Sequence, residues 1–135
     1  MVAMVRVRVT IPMSAAQKSV VRGCLRGEER KYFSETLARL QTTFETMPKT
    51  YEQDGKGDAA IAFLHYFGGG SDWWITEKDM GADQSQAFGF TCLNGWADCA
   101  ELGYIDLAAI TAAGAELDFH FEPCTLGEIK RRIAV

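Results

Sequence analysis

The sequence lacks the motifs that usually reveal a chemistry. Its 135 residues contain two histidines and four cysteines, and no two cysteines form a CxxC pair. A structural zinc site usually needs paired ligands in two clusters, so none is predicted. No Ser or Cys stands in a GxSxG-type elbow, and Gly68–Gly70 lacks the lysine and helix start of a phosphate loop. The sequence therefore predicts no catalytic residue and no cofactor, and it favours a non-enzymatic protein.

Long apolar runs are also absent. No stretch approaches the ~20 residues needed to span a bilayer, and Arg6 and Arg8 interrupt the apolar start of the chain, which is unlike a secretion signal. We expect a cytoplasmic protein that does not bind a membrane. In that compartment four reduced and mostly buried thiols are expected: Cys24, Cys92, Cys99 and Cys124.

Basic residues are scarce beyond the first third of the chain. Residues 50–124 carry two Lys/Arg against thirteen Asp/Glu, a net charge of −11, whereas residues 1–49 carry +5 and residues 125–135 carry +2. Such an acidic region repels phosphate backbones. Nucleic-acid binding would therefore depend on a basic N-terminal set: Arg6, Arg8, Lys18, Arg22 and Arg26. The alternative is that the two oppositely charged regions neutralise each other in the fold.

The most informative segment is AAIAFLHYFGGGSDWWITEKD, residues 59–79. Two apolar, aromatic runs on either side of three glycines predict a β-hairpin of Ala60–Phe67 and Trp73–Glu77. Because successive strand residues face opposite ways, one of Trp73 and Trp74 enters a core and the other needs a cover. We favour a long amphipathic helix as that cover, and the alternatives are a neighbouring chain and a ligand.

Strand patterns recur along the chain. Period-two alternation in VRVRVTI predicts an edge strand over Val5–Ile11, in which the arginines discourage further pairing. Alternation also predicts strands over Ala87–Leu93 and Leu117–Phe121. The segment Glu101–Ile105 is interpreted as a glycine-punctuated turn.

Helix patterns separate these strands. Apolar residues at spacings of three and four, including Leu37 and Leu40, predict a long helix over Glu28–Phe44. N-cap residues predict three shorter helices, Ala15–Leu25 after Ser14, Leu107–Ala113 after Asp106, and a last helix from the capping box Thr125–Glu128 to about Ile133. The predicted fold is a single α+β domain, residues 1–135, with an antiparallel sheet of four to five strands and helices packed mainly on one face.

The order of motifs from Met47 to Ile129 resembles an uncharacterised family of small domains. The matching pieces are MPKTY (47–51), IAFLHYF (61–67), WWITE (73–77), FGF (88–90), ELGYI (101–105) and FEP (121–123). This family is a domain of unknown function carried mainly by plasmids, phages and integrative elements. The resemblance implies a fold and a mobile-element setting, with residues 1–46 as an added N-terminal strand and helices. It implies no reaction and no functional residues.

Three functions follow from these patterns. We favour a binding protein of a mobile genetic element that occupies a basic surface of a host defence or nucleic-acid-handling factor. Its predicted binding residues are aromatics and carboxylates: Trp74, Trp96, Asp98, Glu101 and Asp79. The second function is a nucleic-acid-binding accessory protein that uses the basic N-terminal set.

The third function is a small metal-dependent hydrolase. Asp118, His120 and Glu122 alternate on one face of the predicted strand and could hold a divalent ion. A solvated strand face gives the same pattern, and no second ligand cluster is visible. The other histidine, His65, is expected to pack or to hydrogen-bond locally.

Overall fold

The computed structural model describes residues 8–81 and 84–134. The elements in those ranges are α1 (Ala15–Cys24), α2 (Arg30–Thr46), β1 (Ile61–Ala62), β2 (Leu64–Gly68), β3 (Ser71–Glu77), β4 (Gln86–Cys92), β5 (Glu101–Asp106), α3 (Leu107–Ala112), β6 (Glu116–Leu117), β7 (Cys124–Thr125) and α4 (Leu126–Ile133). The predicted α+β class is confirmed. None of the helices in these ranges has the length and apolar character that crossing a bilayer requires.

The main sheet has five antiparallel strands in the order β5-β4-β3-β2-β6, and β1 pairs with β7 in a separate small ladder. The predicted hairpin is confirmed as β2 and β3, which pair from Leu64↔Ile75 to Gly68↔Ser71. The start of the predicted first strand, Ala60–Phe67, is wrong, because Ile61–Ala62 form β1 and pair with β7 instead. Its two-residue turn places Gly69 and Gly70 at φ values of 58° and 80°. Two successive positive φ angles are characteristic of the turn that best matches strand twist, which explains the glycines.

β3 is buried on both faces, and each face belongs to a different core cluster. On one face Ile75 packs with β2 and with residues of α1, α2 and α3: Leu64, Tyr66, Val21, Leu37, Leu40 and Leu107. On the other face Trp74 packs with Phe90 of β4 and with Leu126 and Ile129 of α4. The long helix α2 therefore covers the face of Trp73, and α4 covers the face of Trp74.

Three buried glutamines, Gln17, Gln41 and Gln53, join distant parts of the chain. Their side-chain amides bond to backbone groups as a neighbouring strand would. The amide of Gln17 on α1 both donates to the carbonyl of Leu117 and accepts from its N–H, each at 2.8 Å. The amide of Gln53 makes the same pair of hydrogen bonds with the backbone of Ile61, at 2.7 and 2.8 Å. It also donates to the carbonyl of Thr76. Each such amide satisfies buried backbone groups that would otherwise be costly.

The predicted strand Val5–Ile11 is wrong over its described part, residues 8–11, which belong to no strand; its first three residues lie outside the described chain. The side-chain oxygen of Gln41 on α2 accepts hydrogen bonds from the N–H groups of Thr10 and Ile11, both at 2.9 Å. A side chain thus takes the place of the expected strand neighbour. Ile11 is buried as its alternation required, so the pattern identified a core residue and not a strand.

Two further predictions are corrected. Glu101–Ile105 is not a turn, because it pairs with β4 along its whole length as strand β5. The predicted strand Leu117–Phe121 ends at Leu117. Asp118 causes this end, because its backbone N–H donates to the carbonyl of His65 and its carboxylate then accepts from the N–H of His120, which turns the chain.

The paired glycines Gly89 and Gly103 provide a test of the sheet. A Cβ at Gly89 would overlap the carbonyl oxygen of Trp74, whereas a Cβ at Gly103 would meet nothing within 4 Å. We predict that Gly89→Ala lowers the free energy of unfolding by about 3 kcal/mol or more, since backbone atoms must move. Gly103→Ala should be neutral or stabilising by up to about 1 kcal/mol. Urea denaturation of both variants checks this, and equal losses would contradict the close approach of the β3 backbone to Gly89.

Candidate functional site

A group of exposed apolar side chains surrounds β5, the last strand on one side of the sheet. β5 pairs with β4 at six positions, from Thr91↔Glu101 to Gln86↔Asp106. No described residue pairs with its outer edge. Such an edge presents unpaired N–H and C=O groups to which another chain can add a strand.

The side chains around this edge are large and well exposed. Leu102 and Tyr104 are two residues apart, so they point to the same face, and they are 44% and 56% exposed. Trp96, in the connection between β4 and β5, is 66% exposed. We call the following residues the acidic–aromatic surface: Tyr51, Leu93, Trp96, Asp98, Glu101, Leu102 and Tyr104. Beside it, Leu102, Phe90 and Ile133 help to line a shallow depression of about 670 Å³.

A pair of tyrosines borders the surface. The hydroxyls of Tyr51 and Tyr104 are 2.9 Å apart, and the ring of Phe88 meets that of Tyr104 edge-on at 5.5 Å. The bond with Tyr51 raises the pKa of the Tyr104 phenol. Tyr51 has a φ of 74°, which is strained for a bulky residue. Strained backbone of this kind concentrates at functional positions.

The surface is acidic because the segment that carries most of it contains no cations, although Lys130 lines the same depression as Asp98 and Glu101. No Lys or Arg occurs between Lys78 and Lys130. Lys130, which lies 5.5 Å from the ring of Phe90, is already bound to Asp58 at 2.6 Å. Asp98 and Glu101 are exposed and form no ion pair within the described part of the chain.

The predicted binding residues separate into two groups. Trp96, Asp98 and Glu101 do lie together, because they are close in sequence at the start of β5. Trp74 is buried between His65 and Phe90, so its proposed role as an exposed anchor is wrong. Asp79 is elsewhere, and its carboxylate accepts from the N–H groups of Gly81 and Gln86.

The sequence interpretation missed four members of the surface: Tyr51, Leu93, Leu102 and Tyr104. Leu102 and Tyr104 were placed in a turn, where their common face could not be recognised. Tyr51 is 53 residues from its partner Tyr104 in sequence, and no local pattern indicates that contact. The only available signal was the alternation of Leu102, Tyr104 and Asp106 on one face.

A second polar cluster centres on His65, on the same face of the sheet as Trp74. Its Nε2 is 2.7 Å from Asp72 and its Nδ1 is 2.9 Å from Asp118. Its ring stacks on that of Trp74 with centroids 5.1 Å apart and planes 11° from parallel. With ionised carboxylates on both sides, both contacts are hydrogen bonds only when both ring nitrogens carry protons.

This cluster is suited to holding the sheet together and not to proton transfer. Both nitrogens of His65 already have carboxylate partners, and its side chain is only 13% exposed.

Burial raises the pKa of the Cys92 thiol, with Asp72 adding to the effect. Burial raises that of the Cys124 thiol as well, although Arg132 opposes it. Thiols held protonated in this way are weak nucleophiles.

The hydrolase hypothesis receives no support from the arrangement of its three residues. Asp118 binds His65, whereas Nδ1 of His120 is 3.4 Å from the hydroxyl of Tyr32. Across residues 8–81 and 84–134, no three His, Cys, Asp or Glu side chains are placed to hold a metal ion.

All four cysteines are free, but only Cys92 is fully buried, so the expectation of mostly buried thiols is wrong.

The basic N-terminal set lies on or near α1. Lys18 and Arg22 are exposed one helical turn apart, and Arg8 and Arg26 are also exposed. Arg6 lies outside the described residues. Nucleic-acid binding through this set stays a prediction.

The chain matches no protein-family model, no curated protein and no solved structure. The resemblance to the mobile-element family therefore stays an expectation from the motifs.

The two histidines allow a matched test of the Asp72–His65–Asp118 cluster. His65→Phe keeps a ring on Trp74 but leaves two carboxylates facing each other. We predict a loss of about 1–3 kcal/mol in the free energy of unfolding, because charged hydrogen bonds are removed. His120→Phe, at an exposed position, should change stability by less than about 0.5 kcal/mol. Similar losses in both variants, measured by urea denaturation, would show that the cluster contributes nothing specific.

Proposed function

We propose that the protein is a non-enzymatic binding protein that captures a basic, extended segment of a partner protein along β5. The observation that carries this proposal is the open edge of β5 with exposed aromatic side chains and unpaired carboxylates beside it. In the mobile-element setting that the motifs imply, the partner would be a host defence or nucleic-acid-handling factor whose basic surface is occupied.

Strand addition suits this edge because the backbone of β5 is accessible. Main-chain hydrogen bonds supply affinity in such complexes, and side chains on alternate residues supply specificity. Gly103 lies in the middle of β5, and a Cβ there would have no neighbour within 4 Å on the sheet face to which it points. A glycine inside a strand often marks the close approach of another backbone. The need for glycine at its paired position 89 is explained by the nearby carbonyl oxygen of Trp74. No such contact in the described chain explains the glycine at position 103.

The charge of the surface determines which segment would bind. Glu101 and Asp98 are at one end of β5, and Asp106 is at the other, where it also caps α3. Acidic residues at both ends repel an acidic strand and attract Lys or Arg side chains. The exposed rings of Trp96 and Tyr104 provide apolar area and cation–π partners for those side chains. A basic, β-forming segment therefore fits this edge better than an acidic or helical one.

Peptide probes test the proposal without knowledge of the natural partner. An alternating Lys-Val octapeptide should change Trp96 fluorescence and bind the protein in a salt-dependent manner, whereas an alternating Glu-Val octapeptide should not bind. Methylating alternate amides of the Lys-Val peptide keeps its charge but removes strand hydrogen bonds. We predict at least tenfold weaker binding for the methylated peptide.

The protein side of the test uses matched charge reversals. Glu101→Lys should weaken Lys-Val binding at least tenfold, whereas Glu35→Lys, an equal change of charge on the exposed surface of α2, should have little effect. Equal binding of the methylated and unmethylated peptides would contradict strand addition. An equal loss in the Glu35 variant would show that only the overall charge matters.

A further inference from the structure

A second site lies at the junction of three segments, separate from the acidic–aromatic surface. A pocket of about 270 Å³ opens between the C-terminal turn of α2, the chain before α1 and the segment after β3. Its walls include the apolar residues Pro12, Phe44 and Leu107, two lysines, Lys49 and Lys78, and two acidic residues, Glu45 and Asp79. No residue of the acidic–aromatic surface lines it.

Backbone pairing forces the two lysines together. Lys49 and Lys78 are opposite one another in an isolated parallel bridge, in which Thr50 N–H donates to the carbonyl of Lys78 and Lys78 N–H donates to that of Pro48, both at 2.9 Å. Backbones paired in this way lie about 5 Å apart. Like charges directly opposite each other are unfavourable. The fold therefore keeps a repulsive pair beside an apolar pocket.

The surroundings of Lys78 confirm that its charge is poorly compensated. Burial and then the charge of Lys49 lower the pKa of Lys78, and Glu45 and Glu52 oppose this only in part. Its Nζ donates to the backbone carbonyl of Glu45 and lies 5.6 Å from the centre of the Phe44 ring. Neither contact supplies a negative charge.

The carboxylates that the structure describes near the pocket accept hydrogen bonds within the fold. Asp79 accepts two backbone N–H groups, from Gly81 and Gln86, which hold the turn after β3. Glu45 accepts from the amide of Gln41, and Glu52 accepts from the N–H of Lys49. These hydrogen bonds direct the carboxylate oxygens towards amide groups. In the described chain, no carboxylate lies at salt-bridge distance from the ammonium group of Lys49 or of Lys78.

We propose that this pocket binds a small organic oxyanion, a carboxylate or phosphate monoester with a compact apolar body. The oxyanion would lie between the ammonium groups of Lys49 and Lys78, relieving their repulsion. The apolar body would contact Pro12, Phe44 and Leu107.

Four probes separate the parts of this proposal in isothermal titration calorimetry. Benzoate and phenyl phosphate carry both an oxyanion and an apolar ring, benzyl alcohol carries only the ring, and inorganic phosphate carries only the oxyanion. We expect benzoate or phenyl phosphate to bind at least tenfold more tightly than benzyl alcohol and inorganic phosphate. Whichever of the two binds more tightly identifies the oxyanion. No binding of either, or equal binding of benzyl alcohol, would overturn the site, and equal binding of inorganic phosphate would remove the apolar part.

Lysine variants locate the binding in the pocket. Lys49→Gln removes one ammonium group from an exposed side chain and should weaken binding at least tenfold, whereas Lys56→Gln, an exposed lysine outside the pocket, should not change it. Without ligand, Lys49→Gln should also unfold at a higher temperature than the unaltered protein, because the repulsion is gone. Unchanged affinity in Lys49→Gln would overturn the proposal, even if the protein remained folded.

Discussion

Burial of β3 on both faces is the constraint on which the rest of the structure depends. Trp73 and Trp74 point to opposite sides of this central strand, so each side needs its own apolar layer. The first three helices supply one layer, and α4 with the β1–β7 ladder supplies the other. The short α4 covers Trp74 and Phe90 but leaves Leu102 and Tyr104 exposed on the same face. The exposed surface around β5 is therefore a consequence of how far the second layer extends.

Side-chain amides and one imidazole complete the hydrogen bonding where the sheet stops. Gln17 pairs with the outer edge of β6, Gln41 with residues 10–11, and Gln53 with β1 and β3. His65 ties β2 to Asp72 of β3 and to Asp118 after β6. These devices close one side of the sheet and its ends, yet no residue in the described ranges closes the outer edge of β5 in this way. The contrast between a sealed β6 edge and an open β5 edge supports a binding role for the latter.

Local sequence patterns predicted the elements that depend on residues close together in the sequence, such as N-caps, helix faces and the hairpin turn. Ser14, Asp106 and Thr125 accept the expected capping hydrogen bonds, and the spacing around Leu37 and Leu40 identified the face of α2 that is buried. The hairpin was equally clear from its glycines. Contacts between distant residues left no such signal: Gln17 binds a residue 100 positions away, and His65 binds Asp118 across 53 positions. β5 was missed because Gly103 and the terminal carboxylates resemble a turn, which is also what makes its edge accessible.

The protein therefore combines a closed core with an open edge, and the openness of that edge is the central claim. Residue-resolved hydrogen exchange of the dilute protein tests it most directly. Within Glu101–Asp106, the amides that bond to β4 should exchange as slowly as those of β4, whereas the alternate amides on the outer edge should exchange nearly as fast as exposed loops. Slow exchange at every position of β5, unchanged on dilution, would show that the edge is already occupied and would contradict the account.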